Sequence, residues 1–431
     1  MSGWSSSMEL QFKEQPTLLK PSASNFSCCI FKAPQSLVQI NQKAYEPQIV
    51  SIGPYHHGKE RLNMIEQHKP RFFSTLLERT KDRDVGLDDY FDAVASREKE
   101  IRDCYSERLC ESPDLVKMIV LDACFIVEVF RIFGNVIKPH PDDPFLGMQW
   151  IFTFLTRDLL RIENQIPFFV LQDIFDLSKG DTAEEAAKGS LSELALRFFN
   201  IAAQRPQEQL KKFYGVSNVK HLLDLFRLSF IGHSELEQPE DVDVHYLQLI
   251  PSATQLLRSG IKLTNGDDSN LLNIQFNGRV IQIPTLTLDD FISSFFLNCV
   301  AYEQCYIHCS GHITSYITFM RCLVNKEVDA ELLSDNQILV NYLGSNAEVA
   351  TFFNELGKDC AIDLETSYLA KIIEQVNRYH RTKWHVIWAG TKREYFGSPW
   401  SFISAVAAFV LLVLTFLQAF YAVFAYYHAP K

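Results

Sequence analysis

The chain has 431 residues, 47% hydrophobic and 13% aromatic, enough apolar material for a sizeable core and too much for a disordered chain. Its net charge of −11, with no basic stripe interleaved with aromatics, argues against nucleic acid as a partner. The ten cysteines (Cys28, Cys29, Cys104, Cys110, Cys124, Cys299, Cys305, Cys309, Cys322 and Cys360) make no CxxC pair and no regular framework, the usage expected of reduced, mostly buried thiols.

Residues 1–35 are polar, with scattered Ser and Pro, and read as a flexible N-terminal tail without the apolar stretch of a cleaved signal peptide. Residues 36–395 read as a mainly helical body. Pro47, Gly53 and Pro54 exclude regular helix from the first stretch, YEPQIVSIGPYHHG. From Leu62 onward, Leu62, Ile65, Phe72, Phe73, Leu76 and Leu77 recur at helical spacing, and Pro70 marks a bend or a break into two helices. Ser112-Pro113-Asp114 has the grammar of a helix start, with a capping hydroxyl, Pro at the first position and an acid on the positive end of the dipole. The helix it opens runs to Gly134 and is apolar almost all round, so it is expected at the centre of the body. Lys117, Asp122, Glu128 and Arg131 argue against its spanning a membrane, since a charge at mid-bilayer depth costs about 2.5–3.5 kcal/mol on insertion scales.

A second apolar helix is expected from Phe145, interrupted at Pro167. Amphipathic helices follow around LSELALRFFNIA and HLLDLFRLSF. The one β signal is LLNIQFNGRVIQIP: a two-residue turn at Asn277-Gly278 pairs Ile274 with Ile281 and Leu272 with Ile283 on one face, a small β-hairpin element. Gly260 to Leu263 can add a third short strand, and after Leu286 the chain is expected to return to helices.

The run from Ser401 to Tyr427 carries no charge and exceeds the roughly 20 apolar residues that cross a bilayer, so 401–427 reads as one transmembrane helix followed by a short tail, 428–431. Trp400, Phe402 and Tyr421 suit the interfaces, and Leu411, Leu412, Leu414 and Phe416 the hydrocarbon. Arg378, Arg381, Lys383, Lys392 and Arg393 precede the span against Glu374 and Glu394, while only Lys431 follows it, which places the body in the cytosol. Ser401 with Ala405 and Ser404 with Ala408 offer small faces for helix pairing and hence for a homo-oligomer. Asn25-Phe26-Ser27 is a glycosylation sequon that matters only if the body is translocated.

Phosphate-cradling glycine loops, a nucleophile elbow and HExxH are absent. His56 and His57, with Glu66 and His68 nearby, have the side chains for metal binding or proton transfer, but adjacent residues on an extended chain point apart. Cys305, His308, Cys309 and His312 share one face if they lie on one helix, and both residue types ligate zinc; thiols on an apolar face are ordinarily core. Neither set leads us to expect a cofactor or metal. Asp122, Glu128, Arg157, Asp158, Arg161 and Glu163 lie on apolar helices and read as a buried ion-pair network in which Arg157 and Arg161 partner the carboxylates, with an acid/base pair in a cleft as the alternative. Cys28-Cys29 is a candidate acylation site.

At these residues the chain resembles the plant family catalogued as domain of unknown function 247. The resemblance rests on Tyr45-Glu46-Pro47, on Val50-Ser51-Ile52-Gly53-Pro54-Tyr55-His56, on Met64 and His68-Lys69, on Asp122-Ala123-Cys124-Phe125, and on Asp158-Leu159-Leu160 with Glu163-Asn164-Gln165-Ile166-Pro167-Phe168-Phe169. Further matches are His221-Leu222-Leu223-Asp224, Ile250-Pro251-Ser252-Ala253-Thr254 and Pro399-Trp400. It implies a plant protein with one C-terminal span, no established catalytic activity and no catalytic residues to carry over. Gly53, Pro54, Tyr55, His56, Asp122, Glu163, Asn164, Gln165 and Pro167 are therefore taken as structural motif residues. The expected function is a membrane-tethered recognition or signalling component that meets an unknown protein partner. A membrane-bound hydrolase or metal-dependent enzyme using His56/His57 is the alternative, and a membrane scaffold the third.

Overall fold

The computed structural model describes residues 16–109, 114–139, 143, 147–179, 189–232, 248–266, 270–358, 360–361, 366–381 and 399–427. Its first half holds α1 (Lys69–Thr80), α2 (Leu87–Ala95), α3 (Glu98–Asp103), α4 (Asp114–Phe133), α5 (Gln149–Asp158), α6 (Phe168–Leu177), α7 (Leu191–Ala203) and α8 (Leu222–Ile231), with shorter helical turns between them. The second half holds β1 (Lys262–Gly266), β2 (Gln275–Asn277), β3 (Val280–Pro284), β4 (Leu286–Leu288), α9 (Asp290–Cys305), α10 (His312–Leu323), α11 (Glu327–Asp335), β5 (Leu339–Asn341), α12 (Asn346–Leu356), α13 (Ala370–Arg381) and α14 (Pro399–Tyr427). The fold is mainly α with two small sheets.

Helix α4 is the axis of the first half. Its all-round apolar surface needs neighbours on every side, and it finds them in α1, α2, α6 and α7. Phe125 meets Phe72 of α1 edge-on, with ring centroids 5.1 Å apart, and Phe130 meets Phe198 of α7 at 5.2 Å. Each such ring pair adds about 0.5–1.5 kcal/mol beyond the burial of its area. One continuous core runs from Cys28 to Val376, so the two halves bury a common interior. The four charges that argued against a span are accommodated as that argument requires: Asp122, Glu128 and Arg131 are buried but paired, and Lys117 lies on the less buried side.

Several expectations need correction. Residues 1–15 and 110–113 lie outside the described residues, but within the tail assigned to 1–35, Cys28, Cys29, Ile30 and Phe31 are buried in the core. Ile30 bridges Tyr105 in parallel, so the polar composition around Cys-Cys-Ile-Phe hid a strand-like core segment. That burial also closes Cys28 and Cys29 to acylation in the folded body. Helix α5 stops at Asp158, well before Pro167. Asn164 and Gln165 donate to the carbonyls of Asp158, Leu159 and Arg161, so side chains take carbonyls that a continuing helix would use. Pro70 sits at the start of α1, after a short separate helix at Asn63–Glu66, so the chain breaks there.

The hairpin forms two residues out of the expected register: Phe276 faces Ile281 and Gln275 faces Gln282. The turn is centred on Gly278-Arg279, with Gly278 at φ +64°, the left-handed first position where a two-residue turn favours glycine. Because the slip is two residues, Ile281 and Ile283 still face the core. β1 does add a third strand, parallel to β3. The parallel pair β4–β5 was not foreseen; its partners lie some fifty residues apart in the sequence, and each strand is only three residues long.

Helix α14 contains a stretch, Val406–Phe424, long and apolar enough to cross a membrane. Unlike α4, none of this stretch is buried in the body: Leu411, Leu412, Leu414, Phe416 and Tyr421 are all exposed. It is not a core helix of this chain. Lys383, Lys392, Arg393, Glu394 and the 428–431 tail lie outside the described residues, while Arg378 and Arg381 occupy the last turn of α13.

Candidate functional site

Two irregular segments, residues 46–58 and 159–167, run side by side through the interior next to α4 and α1. Neither can satisfy its own main chain by regular hydrogen bonding, and buried backbone groups need partners. The motif side chains are those partners. Asp158, fully buried at the end of α5, accepts from the amides of Gln48, Ile49 and Val50 at 2.8–3.1 Å and from Arg161 Nε at 2.8 Å. Asn164 accepts from Ile52 N–H at 2.7 Å and donates to Val50 C=O at 3.1 Å. Asp122 of α4 accepts from Gly53 N–H at 2.7 Å, and Tyr105 donates to Gln165 C=O at 3.1 Å.

Gly53 has φ +71°, and a Cβ there would lie 2.6 Å from Gln165 O, a main-chain atom fixed by its own bonds. Gly53→Ala is expected to lower stability by about 3 kcal/mol, combining left-handed strain with displacement of the neighbouring loop. Urea unfolding of the full chain in detergent micelles checks this; an unchanged midpoint means the loops do not meet here.

Charge is neutralised locally. Lys69, 1% exposed, places Nζ on Asp122 Oδ1 and on Ser51 C=O, each at 2.5 Å, and also pairs with Glu66. Burial pushes Asp122 up to about 6, with Lys69 opposing it. Burial also lowers the Arg161 guanidinium below its usual range, and Asp158 opposes that shift. Glu128 is paired with Arg79 and Arg131, and Glu303 with Arg227 at 2.8 Å. The ion-pair network thus forms, but with Lys69, Arg79 and Arg131 as partners of the α4 acids. Arg157 instead reaches the exposed Asp290 at 3.2 Å.

The histidines diverge. His56 is buried; its Nε2 lies 2.9 Å from Glu163 Oε2 and its Nδ1 2.8 Å from Lys59 Nζ. An ammonium only donates, so Nδ1 accepts and Nε2–H donates to the carboxylate, the neutral tautomer. Glu163 also accepts from Ala33 N–H at 2.9 Å, which ties in the N-terminal segment. His57 is half-exposed, with Nδ1 3.8 Å from Glu66. The zinc-like face does not form, because α9 ends at Cys305 and α10 begins at His312. Cys309 donates to Tyr306 C=O, His308 bonds Ser24 C=O, and His312 stacks on Tyr368 with centroids 5.0 Å apart. Among the described residues no group of three or more His, Cys, Asp or Glu is placed to hold a metal.

Two open clefts, of about 1100 Å³ and 900 Å³, lie elsewhere. The first is lined by Lys20, Lys99, Arg102 and Asp103 among others, the second by Arg205, Phe230, Thr285 and Tyr342 among others, and neither by His56, His57, Asp122, Asp158 or Glu163. Sequence reading had passed over Lys69 and Tyr105 as members of the cluster. Lys69 stands in the matched pair His68-Lys69 but nothing local links it to Asp122, and Tyr105 sits in a polar connection whose burial depends on distant Gln165.

The model of a family described as "Plant protein of unknown function", the domain of unknown function 247, matches residues 30–414. The chain belongs to that family. Among relatives, the UPF0481 protein At3g47200 of Arabidopsis thaliana is 39% identical over 439 residues, covering 97% of this chain and 91% of that protein. The putative UPF0481 protein At3g02645 of the same plant is 24% identical over 489 residues, covering 92% and 90% respectively. No solved structure matches. In this member of the domain of unknown function 247 family, the stretches around Gly53 and Asn164 that carry the resemblance are the two loops that the buried cluster joins.

Proposed function

We propose that this chain is a membrane-tethered recognition or signalling component, non-enzymatic, whose body faces the cytosol and meets a protein partner. The observation that carries the reading is the use made of the family motifs. Asp158, Asn164 and the Glu163–His56 pair join the two loops, Asp122 ties the first to α4, Gln165 braces the second, and the two open clefts described are lined by other residues. Such an arrangement supports a rigid body that displays a surface. The unburied, uncharged stretch of α14 supports the tether, and Arg378 and Arg381 ahead of it favour the cytosolic side.

Proximity labelling in plant membranes with a tag at either terminus tests both parts. The N-terminal tag is expected to mark cytosolic neighbours and the same protein reproducibly, and the C-terminal tag the opposite side. Asn25 is exposed, so a glycan found on it in the native protein would overturn the orientation. A folded, correctly inserted chain without a reproducible neighbour would overturn the partner.

A further inference from the structure

We infer that Cys29 and Cys104 are a built dithiol pair, a site that oxidises to a disulfide and staples the N-terminal segment to the end of α3. The inference starts from the main chain. Ile30 bridges Tyr105 in parallel; Cys29 N–H and Ile30 N–H both donate to Cys104 C=O at 2.9 Å, and Ser106 N–H donates to Ile30 C=O at 2.9 Å. Cys104 is the last, helical residue of α3's cap, and the 2.9 Å bond from Cys29 N–H to its C=O sets the two Cα atoms about 5–6.5 Å apart by backbone dimensions. That separation falls in the window that a disulfide spans without moving the backbone, roughly 4.4–6.8 Å. The side chains agree: the Cys104 thiol is the largest influence raising the Cys29 thiol, and Cys104 Sγ donates to Glu100 C=O at 3.3 Å.

The staple lies beside the motif cluster. Cys29 C=O accepts from His221 Nε2 at 3.0 Å, and Ala33 N–H, four residues on, is held by Glu163. Fixing Cys29 therefore fixes the segment that crosses the ends of both loops. The chemistry balances with glutathione disulfide as oxidant. The Cys29 thiolate attacks one glutathione sulfur and releases one glutathione; the Cys104 thiolate then attacks the Cys29 sulfur of the mixed disulfide and releases the second. Two protein thiols lose two electrons and two protons, and glutathione disulfide becomes two glutathione thiols. Contact with Cys104 and burial hold the Cys29 thiol well above its usual range, so exchange proceeds through local opening of the segment and is slow in the closed fold. Cys28 is the nearest rival, buried and close enough to feel both Cys104 and Lys20.

The test uses the full chain in micelles, first reduced, then held in glutathione disulfide. A parallel sample in maleimide sets the incubation, which continues until Cys29 and Cys104 are labelled there. Peptide mapping of the oxidised wild-type chain is expected to show a Cys29–Cys104 link. The same link should appear in Cys28→Ser and be absent from Cys29→Ser, and the unfolding midpoint of the oxidised chain should rise by about 3–8 °C. Cys29 and Cys104 both labelled by maleimide yet unlinked by the oxidant would overturn the inference. So would a link in which Cys28 takes the place of Cys29. The wild-type map decides even if Cys29→Ser does not fold.

Discussion

Asp158→Ala is expected to destabilise the body by about 5 kcal/mol or more, a large part of a typical domain's total stability. The reason is concentration. One carboxylate takes three consecutive main-chain amides from residues 48–50 and the Arg161 guanidinium, with no water contact of its own. Removing it leaves two buried donors and one half-buried donor without their acceptor, and a buried cation with only Lys43 C=O; each unmet buried donor alone costs about 1–3 kcal/mol. Asp158→Asn should cost less, about 3 kcal/mol, since one amide oxygen can still serve the loop while the amide nitrogen meets Arg161. Urea unfolding and limited proteolysis check both, with cleavage expected first between residues 46 and 58. An Asp158→Ala chain that unfolds at the wild-type midpoint would show that the loop is held by something else.

Asp158 also shows where sequence reading reached its limit. The helical period, the caps and the turn residues act within a few positions of one another, and these local signals placed α1, α4, α14 and the hairpin. Asp158 was legible as a charge on an apolar helix needing a partner, and Arg161, three residues on, was named correctly. Its main role, holding amides more than a hundred residues upstream, depends on how two segments meet and leaves no local trace. The same holds for Cys28 to Phe31, whose four residues look like tail until Tyr105 is beside them, and for β4–β5. The two-residue slip of the hairpin is different. Either register keeps the isoleucines inward and Gly278 in the turn, so alternation alone cannot choose between them; in the structure only Gly278 of the pair Asn277-Gly278 is left-handed, and Asn277 stays on the strand opposite Val280.

Lys69→Met should cost about 3–5 kcal/mol near pH 7.5, even though it keeps the volume of the lysine stem. It strips the fully buried Asp122 of its cation and leaves Gly53 N–H as the remaining partner named for it. With Lys69 present, burial already raises Asp122 to about 6; without it the carboxyl rises further. An acid raised in the fold stabilises below its unfolded value of about 4 and loses that contribution as pH climbs through the folded value. The penalty of Lys69→Met should therefore shrink between pH 7.5 and pH 5, as Asp122 takes a proton and no longer needs the ammonium. Adding Asp122→Asn supplies a neutral group with an oxygen for Gly53 N–H. The double variant should then be more stable than Lys69→Met alone at pH 7.5, and flatter in pH. Urea unfolding of the wild type, Lys69→Met, Asp122→Asn and the double variant at both pH values measures the coupling. Simple additivity with no pH dependence would show that Lys69 packs against the loop without neutralising Asp122.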